Sequence, residues 1–273
     1  MKLYTLENDY LFKKIFSNDD YLKQLLLDLF DVKANKIDYL NTTLIKNNKS
    51  SKVGIVDILL NIDEKIVILE LQNLDRHNFH DRLLFYSSNI ITNHCLKEGE
   101  DYENLRSVKA YAIINYPLFS SEIKNSVRLK VKNKVFTKKL EYQIFDLTKV
   151  DKSNKNNKYY ELVNLFNAQN IDSLNTIIKS KMYKSILEEI KNYNLNSEEY
   201  KKMEDIEKLM MNETEHYDTA YKVGKREGKI EGKKEGKNAR NIEIAKNLIN
   251  ENVDINIIMS ATGLSKEQIN TLV

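Results

Sequence analysis

Residues 53–72 read VGIVDILLNIDEKIVILELQ, and their reading decides the fold. Two apolar runs flank the polar stretch NIDEK, the pattern of a β-hairpin. With Asp63 and Glu64 as the turn pair, Ile62 faces Lys65 and Asn61 faces Ile66. Carried outward, the same register sets Asp57 opposite Glu70. Directly opposed residues share one face of a sheet, with Cβ atoms roughly 4.5–5.5 Å apart. Gln72 lies two residues beyond Glu70 and shares its face. The other face carries Val56, Ile58, Leu60, Ile62, Val67, Leu69 and Leu71, apolar apart from Lys65 at the turn. The face with the acids is apolar near the turn, through Leu59, Ile66 and Ile68, and becomes acidic only at Asp57 and Glu70. The pattern predicts strands buried on both sides, with acids at one spot. A one-residue slip of register would separate them.

Two carboxylates set side by side repel, and both are costly to desolvate. A hard divalent cation offsets that cost. Mg²⁺ takes carboxylate oxygens and keeps waters for substrate phosphates. It polarises a phosphoryl oxygen and generates hydroxide from water. Asp57 and Glu70 are the expected ligands, and the Gln72 amide is placed to orient water or a phosphate oxygen. A second reading stays open: Asp57 paired with a Lys or Arg, and Glu70 at a solvated strand end.

Outward from the hairpin, NDYLFKKIFSNDDYLKQLLLDLF (residues 8–30) has helical spacing, with Leu11, Phe12, Ile15 and Phe16, then Leu22, Leu25, Leu26 and Leu29. The interruption at Ser17–Asp20 predicts a turn and a new N-cap. A strand is expected around Ile37–Leu44, and a helix over 77–97. VKAYAIINY (108–116) reads as a buried strand stopped by Pro117, the only proline, with further strands near Val127–Val131 and Tyr142–Leu147. This order implies an α/β sheet sandwiched by helices. DKSNKNNK (151–158) reads as a loop, and the chain is then helical to about residue 250. Gly224, Gly228, Gly232 and Gly236 recur every fourth position in a Lys/Glu-rich stretch, which reads as a flexible helical arm for self-association or as a merely tolerated low-complexity repeat. The last residues predict a helix, a TGL turn and a second helix with a Ser265/Gln268 capping box. That hairpin can enter a DNA groove or serve as a plain dimer cap.

At 41% hydrophobic residues, the chain can fill a core. The net charge of +3 is uninformative, but its distribution is not. Residues 121–160 hold 11 Lys/Arg against 4 Asp/Glu, and residues 221–240 hold 8 against 3. Either stretch could meet a polyanion or simply be a solvated surface. The single cysteine, Cys95, excludes an internal disulfide, and no Cys/His spacing suggests zinc. His77 and His80, three apart on the expected helix, read as packing or surface residues. The first residues lack an apolar signal segment, and no apolar run approaches 18 residues, so a cytoplasmic protein is expected.

The succession NDYLFKKIF, VDILL, ILELQ, DRLLFY and EGEDYENL resembles the Rpn recombination-promoting nucleases, also called PD-(D/E)XK nuclease family transposases. The likeness covers residues 1–150 and, less closely, the last 50, where IAKNLI and TGLSKEQI are similar to the family's C-terminal end. It implies a restriction-endonuclease-like PD-(D/E)XK core, a mixed sheet flanked by helices, with an all-helical C-terminal extension. It also implies a Mg²⁺-dependent DNA endonuclease (Mn²⁺ can substitute) that promotes recombination. Asp57 matches the family's first acid and Glu70 its second. Gln72 stands where the superfamily's E-x-K has lysine, which removes a cation, and Val56 stands where its name has proline. Asp9 matches an acid of the first helix that often joins the site; its other reading is an N-cap. Arg82 and Tyr86 match an R-x-x-x-Y on one helix face, where Arg82 could clamp a phosphate or pair with a surface acid. The expected organisation is a nuclease-like domain over 1–150, a helical region over 151–220, and the glycine-repeat arm with its hairpin over 221–273. The expected partners are DNA and further copies of the chain through that arm, with no membrane. Two rival readings are a weakly active or inactive DNA-binding or assembly protein on the same fold, and a helical oligomerisation module.

Overall fold

The computed structural model describes residues 2–44, 54–75, 78–118, 122–251 and 253–272. Val53, the first residue of the hairpin reading, and His77 lie outside them. The chain forms two compact units, Met1–Glu207 and Lys208–Val273.

The first unit opens with two short helices, α1 (Asp9–Ile15) and α2 (Asp19–Phe30). The Asn18 side chain accepts from the amides of Asp20 and Tyr21 and so caps α2. Asp19 and Asp20 in the first turn suit the positive end of the helix dipole. Leu22, Leu25, Leu26 and Leu29 then form the buried stripe, and Asp31, in left-handed conformation at φ 56°, ends the helix. Strands β1 (Ile37–Tyr39), β2 (Ile58–Ile62), β3 (Lys65–Gln72), β4 (Val108–Ile114) and β5 (Lys124–Arg128) follow in chain order. Next come the short strands β6 (Lys130–Val131) and β7 (Lys134–Val135), then β8 (Leu140–Asp146). Helix α3 (Phe79–His94) joins β3 to β4. One six-stranded sheet runs β1-β2-β3-β4-β8-β5, while β6 and β7 pair only with each other. The central β3, β4 and β8 are parallel, and the outer pairings are antiparallel, so the sheet is mixed.

The hairpin has the predicted register, from Ile62↔Lys65 out to Ile58↔Leu69. Asp63 and Glu64 form its turn at φ 45° and 68°, the positive values that match a two-residue turn to the strand twist. Neither residue is glycine. The Asp63 carboxylate takes the amides of Asn35 and Lys36, and the Glu64 carbonyl takes Arg106 Nε at 3.0 Å, which hold the strained turn. The two faces separate as expected. Ile58, Leu60, Ile62, Val67, Leu69 and Leu71 join α1, α2 and two later helices, α4 (Tyr160–Asn167) and α6 (Lys181–Leu195), in the larger core. Leu59, Ile66 and Ile68 join Phe79, Leu83 and Ile90 of α3 on the other side. Val56 departs from the reading, because it lies on the α3 side. The chain has left the ladder there: the Val56 amide bonds to the Thr42 carbonyl, and Ile55 bridges to Thr43. Alternation of faces holds only inside the pleat, which starts at Ile58.

The strand expected over Val127–Val131 is split. Sheet pairing ends at Arg128↔Glu141, and Lys130–Val131 belongs to the separate β6–β7 ribbon. Residues 151–158 form turns and loop, as expected. Helix α5 (Ile171–Ile177) follows α4, and α7 (Ser197–Asn250) is one continuous helix of 54 residues. Gly224, Gly228, Gly232 and Gly236 lie on it, and a Cβ at any of them would meet open space. In the second unit, α8 (Ile255–Thr262) and α9 (Lys266–Asn270) enclose a small core of Ala245, Ile258, Leu264 and Ile269. Gly263 turns the chain between them at φ 71°, and the predicted Ser265/Gln268 capping box is present. No helix among the described residues is long and apolar enough to cross a membrane.

Candidate active site

Glu70 is the sixth residue of β3, and Asp57 immediately precedes β2. The predicted register brings them together, but through the backbone rather than as a ladder pair. The Asp57 amide donates to Glu70 Oε1 at 3.0 Å, and the Leu71 amide donates to Asp57 Oδ2 at 2.9 Å. Each carboxylate thus takes an N–H from the other's strand, where a continued sheet would have used backbone carbonyls. This reciprocal bridge ends the hairpin ladder and fixes both acids at its open end. Only 14% of the Asp57 side chain and 6% of the Glu70 side chain are exposed.

Two cations reach the acids, one from each side of the sheet. From α1, Lys13 Nζ lies 2.8 Å from Asp57 Oδ1. From α3, Arg82 lies 3.9 Å from Glu70 Oε2 and donates to Gln72 Oε1. Gln72 is buried, and its amide nitrogen donates to the Leu74 carbonyl at 3.1 Å. Pairing with basic residues, the second reading left open by the sequence, therefore coexists with the convergence of the acids.

The electrostatics follow from burial. Desolvation pushes the Glu70 carboxyl well above the usual carboxylate range, and the Asp57 charge pushes it further; the Asp57 amide, Arg82 and Lys13 pull it back. Burial alone would depress Lys13. The charge and hydrogen bond of Asp57, then the charges of Asp9 and Glu70, outweigh it and raise the ammonium above its ordinary value. Three acids therefore act on one ammonium.

Asp9 does not cap α1. That role belongs to Asn8, whose side chain accepts from the Leu11 amide. Asp9 stands one turn before Lys13, with Oδ1 shielded from solvent. Arg82 is at the site. Tyr86, one turn further along α3, is 9% exposed and packs in the apolar cluster with Leu44 and Val56 beside Gly54. Lys13 was missed in the sequence. Its one signal was the Asp9–Lys13 spacing of four on the first helix, which places both on one face.

Among the described residues, no three His, Cys, Asp or Glu side chains form a cation cage on their own. The donor set nevertheless suits a hard divalent ion, since it consists of oxygens already gathered around a positive charge. Both Asp57 oxygens and Glu70 Oε1 have one close donor each, Glu70 Oε2 has only the 3.9 Å ion pair with Arg82, and all four have lone pairs left for an ion. An ion held by both would share Asp57 with Lys13 or displace it. Among the described residues, Cys95 is a thiol buried in the core on the α3 side, and His80 is exposed beside Phe79.

No curated protein matches the chain. The PD-(D/E)XK nuclease family transposases do match, over residues 6–220. That span includes both carboxylates, both cations and the whole mixed sheet, and the chain belongs to the PD-(D/E)XK nuclease family transposases.

Proposed function

We propose that the protein is a Mg²⁺-dependent DNA endonuclease that hydrolyses phosphodiester bonds and promotes DNA recombination. The observation that supports this most directly is the reciprocal Asp57–Glu70 bridge, which holds a half-buried and a buried carboxylate at one point beside a cation. Asp57 and Glu70 would hold the metal, with Asp9 as a neighbouring acid. Bound there, the ion would supply Lewis-acid activation of a phosphate oxygen and of water. Gln72, fixed by Arg82 and the Leu74 carbonyl, positions water or a phosphate oxygen beside Glu70. Arg82 lies 22% exposed at the site rim, where its remaining donors can meet a phosphate. Lys13 pairs with Asp57 Oδ1 and, when displaced, supplies the cation that the Gln72 position lacks.

In this reading residues 1–150 carry the chemistry, residues 151–220 form a helical region, and the arm and hairpin over 221–273 join copies of the chain in the cytoplasm. A second reading, a catalytically weak or inactive DNA-binding or assembly protein, is favoured by one observation: both acids already have basic neighbours.

Supercoiled plasmid separates the two. Asp57→Asn keeps an acceptor for the Leu71 amide and removes one charge. Nicking that needs Mg²⁺ or Mn²⁺ and is lost in Asp57→Asn, with the unfolding temperature kept, supports the nuclease. Binding without nicking in the parent protein would establish the second reading.

A further inference from the structure

We propose that the ribbon over residues 124–139 is a duplex-DNA contact separate from the carboxylate site, gripping the phosphate backbone. This rests on the reading that DNA is the substrate. Between Glu122 and Glu141 there is no acid, while the stretch holds seven cations. Their partners divide them. Lys124 pairs with Asp31 at 2.6 Å, Arg128 pairs with Glu141, and Lys139 donates to the backbone carbonyls of Glu103 and Leu105. Lys130, Lys132 and Lys134 are exposed at the ribbon's end and meet no acid among the described residues.

The shape adds to the charge. β6 and β7 form a two-stranded antiparallel ribbon with Lys132 in its turn at φ 53°, outside the main sheet. A two-stranded ribbon is one of the elements that the major groove admits. Leu129, Val131 and Phe136 project from the same ribbon at 50%, 61% and 74% exposure. Such apolar surface amid lysines suits contact with sugar and base edges between phosphates, and it would otherwise remain in water.

Position agrees as well. Glu70 is level with Ala112, Ile144 and Asn125 across the sheet. Three strand spacings separate β3 from β5, and about seven residues of extended chain lead from Asn125 to the ribbon turn, giving roughly 25–30 Å in all. That is less than one turn of duplex, about 34–36 Å. The separation alone therefore does not keep one double helix from meeting both.

The test is binding to a random-sequence duplex of about three turns, measured by fluorescence anisotropy across a salt series with EDTA present, so that cleavage plays no part. The triple variant Lys130→Gln/Lys132→Gln/Lys134→Gln is compared with Lys179→Gln/Lys181→Gln/Lys184→Gln, which removes equal charge from exposed positions around α6. Each lost phosphate contact lowers the slope of log affinity against log salt by about 0.9. The ribbon variant should bind at least tenfold more weakly, with a slope smaller by nearly 3 and an unchanged unfolding temperature. The control should change less than twofold. Equal losses in both variants, no loss in the ribbon variant, or a parent protein that does not bind duplex would overturn the proposal. So would a ribbon variant that loses self-association at unchanged DNA affinity. A parent that binds through the ribbon but does not nick with Mg²⁺ would remove the nuclease reading and leave this one standing.

Discussion

Replacing Lys13 by Met tests whether the ammonium and a metal ion compete for Asp57. Met keeps the apolar stem and removes the charge. At 2.8 Å, with an effective dielectric constant of about 20, the gross attraction between Lys13 and Asp57 is about 6 kcal/mol. Desolvation and the ordering of a long side chain offset most of it, and the Lys13 side chain is 41% exposed, so solvent screens the pair. Asp57 is far less exposed than its partner, which places the pair between a surface bridge worth 0–1 kcal/mol and a buried one whose breakage costs 3–5. Without divalent ions, Lys13→Met should lose about 1–2 kcal/mol. For a unit of this size that is a fall in unfolding temperature of about 2–8 °C. The same loss removes the competitor for the carboxylates, so Mn²⁺ should bind about 5–30-fold more tightly. Saturating Mn²⁺ at a hundredfold its dissociation constant would add about 2.7 kcal/mol and more than restore the variant. Calorimetric titration with Mn²⁺ and thermal unfolding with and without it measure both quantities. Mn²⁺ that binds Lys13→Met no better than the parent protein would refute the competition.

Gly54→Ala should destabilise by about 1–3 kcal/mol, because an added Cβ would sit 2.8 Å from both Leu44 Cδ1 and Tyr86 Cε1; urea unfolding checks it. Glu141 gives a pH test. Burial raises its carboxyl, but hydrogen bonds from Lys109 and Arg128 win and hold it below its ordinary value of 4.5. Because the folded value is depressed, the stabilisation is full above the ordinary value of 4.5 that the unfolded chain keeps, and is lost as pH falls through the lower folded value. Glu141→Gln should therefore be less stable at neutral pH and lose less on acidification below about pH 5, read from unfolding midpoints across pH.

The hairpin register was legible because two period-two patterns, a polar turn and burial on both faces leave only one alignment that buries Ile58, Leu60 and Ile62 together with Val67 and Leu69. The helices were legible for similar reasons, down to the break before α2 and the Ser265/Gln268 box. What failed was the extension of a periodic rule past the end of its element. Val56 was assigned a face as though β2 continued through it, and Val131 a place in the sheet strand that ends at Arg128. A hydrophobic pattern reports which positions are buried; it carries no mark for the residue at which hydrogen bonding passes to another partner.

The site shows the same division. Pairing arithmetic brought Asp57 to Glu70, but the bridge between them depends on the ladder stopping one residue early, so that each carboxylate meets an amide left open by the other strand. Lys13 was hidden for a different reason. It lies 44 residues from Asp57 in the chain, on a helix that reaches the acids only after its apolar face has packed on the sheet. Within ILELQ, Gln72 at the lysine position of the E-x-K pattern looked like a missing charge. In the fold, an ammonium reaches the acids from α1 and a guanidinium from α3, and the buried glutamine instead ties the second to the strand. A neutral amide there avoids placing a third cation beside two carboxylates, which would hold both acids too firmly for any incoming ion to compete. On that argument, restoring lysine at position 72 would weaken divalent-ion binding.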